Sequence, residues 1–156
     1  MDYDRILPNL YVGGCPLTPD DLQELQDGGI TAVLNLQSDD DLINHRIDWP
    51  SFWIHFSTRH IAVRRVPIFD FDDNDLRDKL PEAVQVLTEL LKQEHTVFVH
   101  CNAGINRSPS VIACYLHWRE GWQLDEALQH VRLNHPCSPV TEVIRLATWD
   151  RRRGVP

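Results

Sequence analysis

The run from His100 to Ser110 reads H-C-N-A-G-I-N-R-S-P-S and gathers groups that handle a small dianion. Cys101 brings a thiol, Arg107 a guanidinium, and Gly104 a backbone free to adopt unusual angles. Five residues separate Cys101 from Arg107, enough to wrap a tight loop whose amide hydrogens converge on its centre. A helix leaving the loop adds unpaired N–H groups and the positive end of its dipole, and Pro109 suits its first turn. A phosphate fits such a nest, with Arg107 gripping two of its oxygens. The same field acts on the thiol. An ordinary cysteine is only a few per cent thiolate at pH 7, whereas a helix N-terminus and a nearby cation favour the thiolate and keep a nucleophile ready. A cysteine alone before a turn is commonly structural; the conjunction of Cys101 with Gly104, Arg107 and Ser108 argues for chemistry.

Phosphoryl transfer to a thiolate also needs a proton for the leaving oxygen. The loop Phe69-Asp70-Phe71-Asp72-Asp73 lies between a strand-like and a helix-like stretch, and can cover the site. Asp70 is the first choice of acid and Asp72 the alternative. Asp73 or Asp75 reads as a solvated acid capping the next helix.

These residues need a scaffold, and the hydrophobic pattern supplies one. Ile6–Leu7 and Leu10–Val12 read as opening strands around a Pro8-Asn9 turn. Thr18, Pro19 and Asp21 start a helix that points Leu22 and Leu25 inward and stops at Gly28-Gly29. Thr31 to Leu36 is β-branched and apolar, the mark of a buried central strand. Asp39-Asp40-Asp41 starts a short helix that Trp49-Pro50 breaks, and Ser51 caps another carrying Phe52, Trp53 and Phe56. The dense aromatics either pack this segment onto the body or form an aromatic surface beside the site. Ile61–Val66 resumes a strand, a long amphipathic helix follows from about Asp75 to Glu94, and Thr96–Val99 delivers His100 and Cys101. Val111–Trp118 is apolar nearly all round; Leu124, Ala127, Leu128 and Val131 mark one further helix, and Val140, Val143, Ile144 and Ala147 the last. Arg151 to Arg153 reads as a solvated helix end. The alternation predicts an α/β fold, a central and mostly parallel twisted sheet flanked by helices, in one domain spanning 1–156 with a core of about 3–150.

Composition limits the partners. The 156 residues carry 15 basic and 23 acidic side chains, a formal charge of −8, which argues against bulk binding to nucleic acid or an anionic membrane. Only Lys79 and Lys92 are lysines; the other cations are arginines, with Arg59, Arg64 and Arg65 on or beside the strand that feeds the acid loop. No apolar run reaches membrane-spanning length, and Met1 to Asp4 is unlike a targeting peptide. Cys15, Cys101, Cys114 and Cys137 show no paired metal spacing, so the expectation is reduced thiols in the cytoplasm, with neither metal nor cofactor. A monomer is expected. Peroxide should inactivate an accessible Cys101 thiolate, and any of the other three cysteines is a candidate to resolve it.

Taken in order, R-I-L-P-N-L-Y-V-G-G at Arg5–Gly14, T-A-V-L-N-L at Thr31–Leu36, D-F-D-D-N-D-L-R at Asp70–Arg77, the Cys101 loop, and R-L-N-H-P-C-S-P at Arg132–Pro139 resemble the cysteine-dependent dual-specificity phosphatases. These are a branch of the protein tyrosine phosphatase superfamily. The resemblance implies that fold, and hydrolysis of phosphate monoesters through a phosphocysteine on Cys101. It implies Arg107 as the phosphate clamp, Asp70 as acid and then base, and Ser108 as the hydroxyl steadying the departing thiolate. His100 would orient the loop, and the amides of Asn102, Ala103, Gly104, Ile105, Asn106 and Arg107 would line the oxygens. The implied substrate is a protein bearing phosphoserine, phosphothreonine or phosphotyrosine. Asp70-Phe71-Asp72, L-R-D-K-L-P, and the stretch from Cys137 to Asp150 look similar to plant glucan phosphatases, in which Phe71, Trp49, Phe52, Trp53 and Trp118 would suit stacking on sugar rings. Asn106 departs from that group, which has glycine before the signature arginine. A non-catalytic phosphate-binding relative is the reading from another class, yet such proteins usually lack the cysteine, the arginine or the acid.

Overall fold

The structure, a computed structural model, describes residues 1–154. Its strands are β1 (Tyr3–Leu7), β2 (Leu10–Gly13), β3 (Ala32–Asn35), β4 (Ala62–Arg65) and β5 (Val97–His100). The helices are α1 (Pro19–Asp27), α2 (Asp39–Asn44), α3 (Trp49–Thr58), α4 (Asp73–Lys92), α5 (Arg107–Trp118), α6 (Leu124–Asn134) and α7 (Thr141–Arg152). The sheet runs β1-β2-β5-β3-β4; the β1–β2 hairpin is antiparallel and the other three pairings are parallel. The predicted α/β architecture therefore holds.

Strand alternation divides the side chains between two layers. Leu10, Val12, Ala32, Leu34, Val97 and Val99 point into the larger core, covered by α4, α5, α6 and α7. Val33 and Phe98 point the other way, against α1 and α3 through Leu22, Leu25 and Phe56. Helix α5 is buried along its length from Arg107 to Leu116, as its apolar sequence requires. Because β5 is the middle strand, its C-terminal end opens where β2 and β3 also finish: His100 is in register with Gly13 and with Asn35. The mouth of a parallel sheet beside helix N-termini is the usual place for a ligand in α/β folds.

Several local expectations change. Trp49-Pro50 does not end a helix; it begins α3, after α2 has stopped at Asn44. A proline in the first turn lacks only an N–H that has no partner there, so it is compatible with a start. Asp48 rather than Ser51 holds the capping position. Helix α4 begins at Asp73, slightly before the expected Asp75, while α5 begins at Arg107 with Pro109 in its first turn, as expected. Of the aromatic run, Phe56 is buried and Phe52 packs beside it, while Trp53 stays 53% exposed and Trp49 lies under the Arg65 guanidinium. The basic tail is exposed, as expected of a solvated helix end, with the Arg151 guanidinium over the Trp118 ring and that of Arg153 over Trp149.

Candidate active site

The loop from Cys101 to Arg107 closes between β5 and α5. Gly104 takes a φ of +71°, and a Cβ there would sit 2.6 to 2.7 Å from the backbone of Gly13, so both conformation and space require glycine. The loop is fastened on every side. Cys15 donates its N–H to the Asn102 carbonyl at 2.9 Å, and Ser138 donates to the Ile105 carbonyl at 2.8 Å. His135 sits 2.7 Å from the Gly104 carbonyl through Nε2 and 2.7 Å from Asp4 through Nδ1.

Cys101 is 3% exposed, and its Sγ lies 3.2 Å from the Ser108 Oγ in the first turn of α5. A hydroxyl so placed can donate to a thiolate. Behind the loop, His100 stacks on Phe98 and its Nδ1–H donates to the Cys101 carbonyl at 3.1 Å. Burial pushes this imidazole down to about 4, so it stands neutral at pH 7. Burial moves the other cysteines the opposite way: the Cys15 thiol is pushed up to about 12, and Cys114 and Cys137 are also raised.

Arg107 is buried and uses one nitrogen for the protein. Its Nη1 donates to Asp41 Oδ2 at 2.7 Å and to the Ile68 carbonyl at 2.7 Å. Its Nε and Nη2 are buried without a hydrogen-bond partner among the described residues. Asp70 Oδ1 is 3.3 Å from Nε, an ion-pair distance but not an aligned hydrogen bond, and Asp70 Oδ2 is 3.5 Å from Asn102 Nδ2. Thus Cys101 meets Ser108, and Asp70 reaches both Arg107 and Asn102, at the two ends of one loop.

Asp72 behaves otherwise. Its Oδ1 accepts from the Asp75 N–H at 2.9 Å and caps α4, the part expected of Asp73 or Asp75. Asp75 instead accepts from the Phe69 N–H and pairs with Lys79, closing the base of the acid loop. Phe71 forms the tip, 88% exposed at a φ of +58°, a left-handed angle uncommon for a bulky residue. A small cleft of about 110 Å³ runs from Phe69 and Phe71 past Leu76 and Val140 to Asn106 and Arg107. Among the loop residues, Ala103 and Ile105 are exposed, whereas the Asn102 side chain turns beneath the loop to Asp41 and Gln37. Asn106 occupies the capping position of α5 without a side-chain cap bond. Arg59 and Arg64 are engaged elsewhere with Gln23 and Glu89; Arg65 pairs with Asp39 and reaches the Gln37 carbonyl.

Two contributors were not apparent in the sequence. Asp41 reads there as one of three acids opening a helix, and His135 as one residue of the R-L-N-H-P-C-S-P run. Each meets the loop only through folding, and no local pattern around Asp41 or His135 marks the contact.

A model of the dual specificity phosphatase catalytic domain matches residues 10–146. The chain is 39% identical over 150 residues to the chloroplastic phosphoglucan phosphatase LSF1 of Arabidopsis thaliana, covering 96% of this chain and 25% of that protein. It is 33% identical over 157 residues to the amyloplastic phosphoglucan phosphatase DSP4 of Castanea sativa, covering 99% and 42%. It is also 33% identical over 128 residues to dual specificity protein phosphatase 2 of Mus musculus, covering 82% and 36%. The chain thus spans less than half the length of each of these relatives. Among solved structures, Tk-PTP in its active form superposes with a TM-score of 0.76 at 23% identity, over 97% of this chain and 96% of that one, a likeness of fold. With the signature loop, its buried arginine and the matched domain in agreement, the chain belongs to the dual specificity phosphatase catalytic-domain family.

Proposed function

We propose that this domain hydrolyses phosphate monoesters through a phosphocysteine on Cys101, acting on phosphoserine, phosphothreonine and phosphotyrosine side chains. One observation carries the reading. The Nε and Nη2 edge of Arg107, the last residue of the loop that begins at Cys101, is buried and without a hydrogen-bond partner among the described residues, with Asp70 at ion-pair distance from Nε. In the first step the Cys101 thiolate attacks phosphorus while Arg107 and the loop amides hold the non-bridging oxygens. The ester P–O bond breaks, and protonated Asp70 gives its proton to the leaving oxygen. In the second step the Asp70 carboxylate takes a proton from water, the resulting oxygen attacks phosphorus, and the P–S bond breaks. Ser108 donates to the sulfur as it leaves, returning the thiolate and free inorganic phosphate. Cys101→Ser should abolish turnover and keep oxyanion binding; surviving turnover would exclude the phosphocysteine route.

A second substrate reading, a phosphorylated polyglucan, is favoured by a different observation. Two relatives named as phosphoglucan phosphatases align with 96% and 99% of the chain, and exposed Phe69 and Phe71 border the cleft. The test compares phosphate release from solubilised amylopectin with release from a phosphopeptide, at enzyme levels matched on a small aryl phosphate. Preferential release from the peptide is expected; efficient release from amylopectin alone would replace the protein reading with the glucan one. Failure to turn over the aryl phosphate, with oxyanion binding intact, would make the domain a phosphate-binding module instead. The four free thiols suit a reducing compartment, cytosol or plastid stroma alike.

A further inference from the structure

Arg107 presents its free edge only if its plane is held, and the holding group comes from another part of the chain. Asp41 lies in α2, 66 residues before Arg107, and is 7% exposed. Its two oxygens are fully employed. Oδ2 accepts from Arg107 Nη1 at 2.7 Å and from the Ser38 N–H at 3.0 Å; Oδ1 accepts from Asn102 Nδ2 at 2.9 Å. Asn102 is fixed further, since its Oδ1 accepts from Gln37 Nε2 at 2.9 Å and its carbonyl from the Cys15 N–H. Burial alone would push the Asp41 carboxyl up, but the bonds from Arg107, Asn102 and Ser38 outweigh it and hold the group below the ordinary carboxylate value.

From this geometry we infer that Asp41 is the positioning residue of the phosphate site, one carboxylate that ties both ends of the Cys101–Arg107 loop and turns the Nε and Nη2 edge of Arg107 toward the substrate. The inference rests on the proposed use of that loop for phosphate, but not on turnover. A carboxylate that accepts from Nη1 leaves the opposite edge in the same plane, so guanidinium orientation is set before any ligand arrives. Neutralising it leaves Arg107 a buried cation whose remaining carboxylate neighbour, Asp70, lies on the substrate side. In that case Asp70 would compete with phosphate for the Nε edge of Arg107. Asp41 also belongs to the capping box of α2 with Ser38, so a purely structural role is the competing explanation.

A double-mutant cycle on binding of tungstate, a tetrahedral dianion, separates the two. Asp41→Asn is isosteric and should weaken tungstate binding roughly tenfold to a hundredfold in the native background. In the Arg107→Lys background, the same change should weaken it less than about threefold, because its effect passes through the arginine. Equal losses in the two backgrounds, or no loss with Arg107 present, would overturn the inference. If Asp41→Asn does not fold, Asp41→Glu enters the same cycle under the same criteria. A kinetic readout runs alongside: Asp41→Asn should lower kcat/KM equally for aryl phosphates of different leaving-group acidity, whereas loss of a proton donor gives a graded effect. A native protein that binds tungstate without hydrolysing aryl phosphate would overturn the proposed function and leave this inference standing. One that binds no tungstate would overturn the inference itself.

Discussion

The Cys101–Arg107 loop and the Phe69–Asp73 loop meet at Arg107, yet they are built in opposite ways. The first is braced by β2, α2, the connector before α7, and a buried histidine; its glycine contacts backbone and its arginine is sealed in. The second has its base closed by Asp75 and Asp72, while its tip, Phe71, stands in solvent at a left-handed angle. The difference matches two chemical tasks. Stabilising charge that develops on phosphoryl oxygens is most effective when donors are fixed beforehand, because no reorganisation is then needed during the reaction. Delivering a proton to leaving groups of different shape favours a group on a loop that can adjust.

The largest effects should therefore come from the braced loop. Arg107→Lys keeps a charge but loses the planar fork, and should lower kcat on an aryl phosphate by roughly 10³- to 10⁵-fold, the scale of a transition-state arginine. Single-turnover measurements should place the loss in formation of the phosphoenzyme. A decrease under about tenfold would mean that the cradle does not depend on a preset arginine, and the contrast between the loops would lose its basis.

Next comes the acid. Asp70→Asn should cost roughly 10²- to 10⁴-fold on an alkyl phosphate, and far less on an aryl phosphate whose leaving group needs no proton. Asp72→Ala should leave both rates near the native values while lowering stability by about 1 kcal/mol through loss of the α4 cap, measured by urea unfolding. Leaving-group dependence in Asp72→Ala instead would reverse the assignment of these two carboxylates.

How much of this was written locally explains what the sequence could reveal. The thiol, the glycine, the arginine and the helix that follows occupy one short run between a β-branched stretch and an apolar helix, so loop and chemistry can be read together. The α/β order was legible for the same reason, since each layer follows from period-2 or period-3.6 burial. What escaped was either competitive or distant. Asp72, Asp73 and Asp75 are equivalent as cap candidates until backbone angles choose among them, and Asp72 took the position. Trp49-Pro50 carries the same signal at a helix start and after a helix end, and tertiary packing of Phe52 and Phe56 decides. Asp41 and His135 contact the loop across 61 to 66 and 31 residues, and no local pattern records such pairings.

Burial of His100 adds a pH dependence to the stability of the braced side. Its folded value, about 4, lies below the ordinary 6.5, so as pH falls the unfolded chain takes up this proton first. Stability tied to His100 is thus complete above about pH 6.5, declines through the window between the two values, and is lost near pH 4. The full contribution is about 3 kcal/mol. Urea unfolding of His100→Asn should show a flatter dependence over that window than the native protein. Parallel curves for the two proteins would mean that the histidine carries no such burden.

The smallest expected change is at the exposed tip, and it tests whether openness there has a use. Phe71 has little native burial to lose, so Phe71→Ala should alter stability by no more than about 0.5 kcal/mol and leave small aryl phosphate hydrolysis near native. Its left-handed angle costs a residue with a Cβ, and Phe71→Gly should consequently be no less stable than Phe71→Ala despite glycine's greater freedom when unfolded. The two variants thus remove the same ring while differing in backbone restraint. If the ring stacks on an extended substrate, both should lose roughly threefold to tenfold in kcat/KM on amylopectin or a phosphopeptide, whichever the domain hydrolyses. If instead the tip matters only by holding its bend, Phe71→Ala should retain activity and Phe71→Gly should not. Neither losing activity would mean that substrate recognition is confined to the rigid loop and that the exposed loop contributes Asp70 alone.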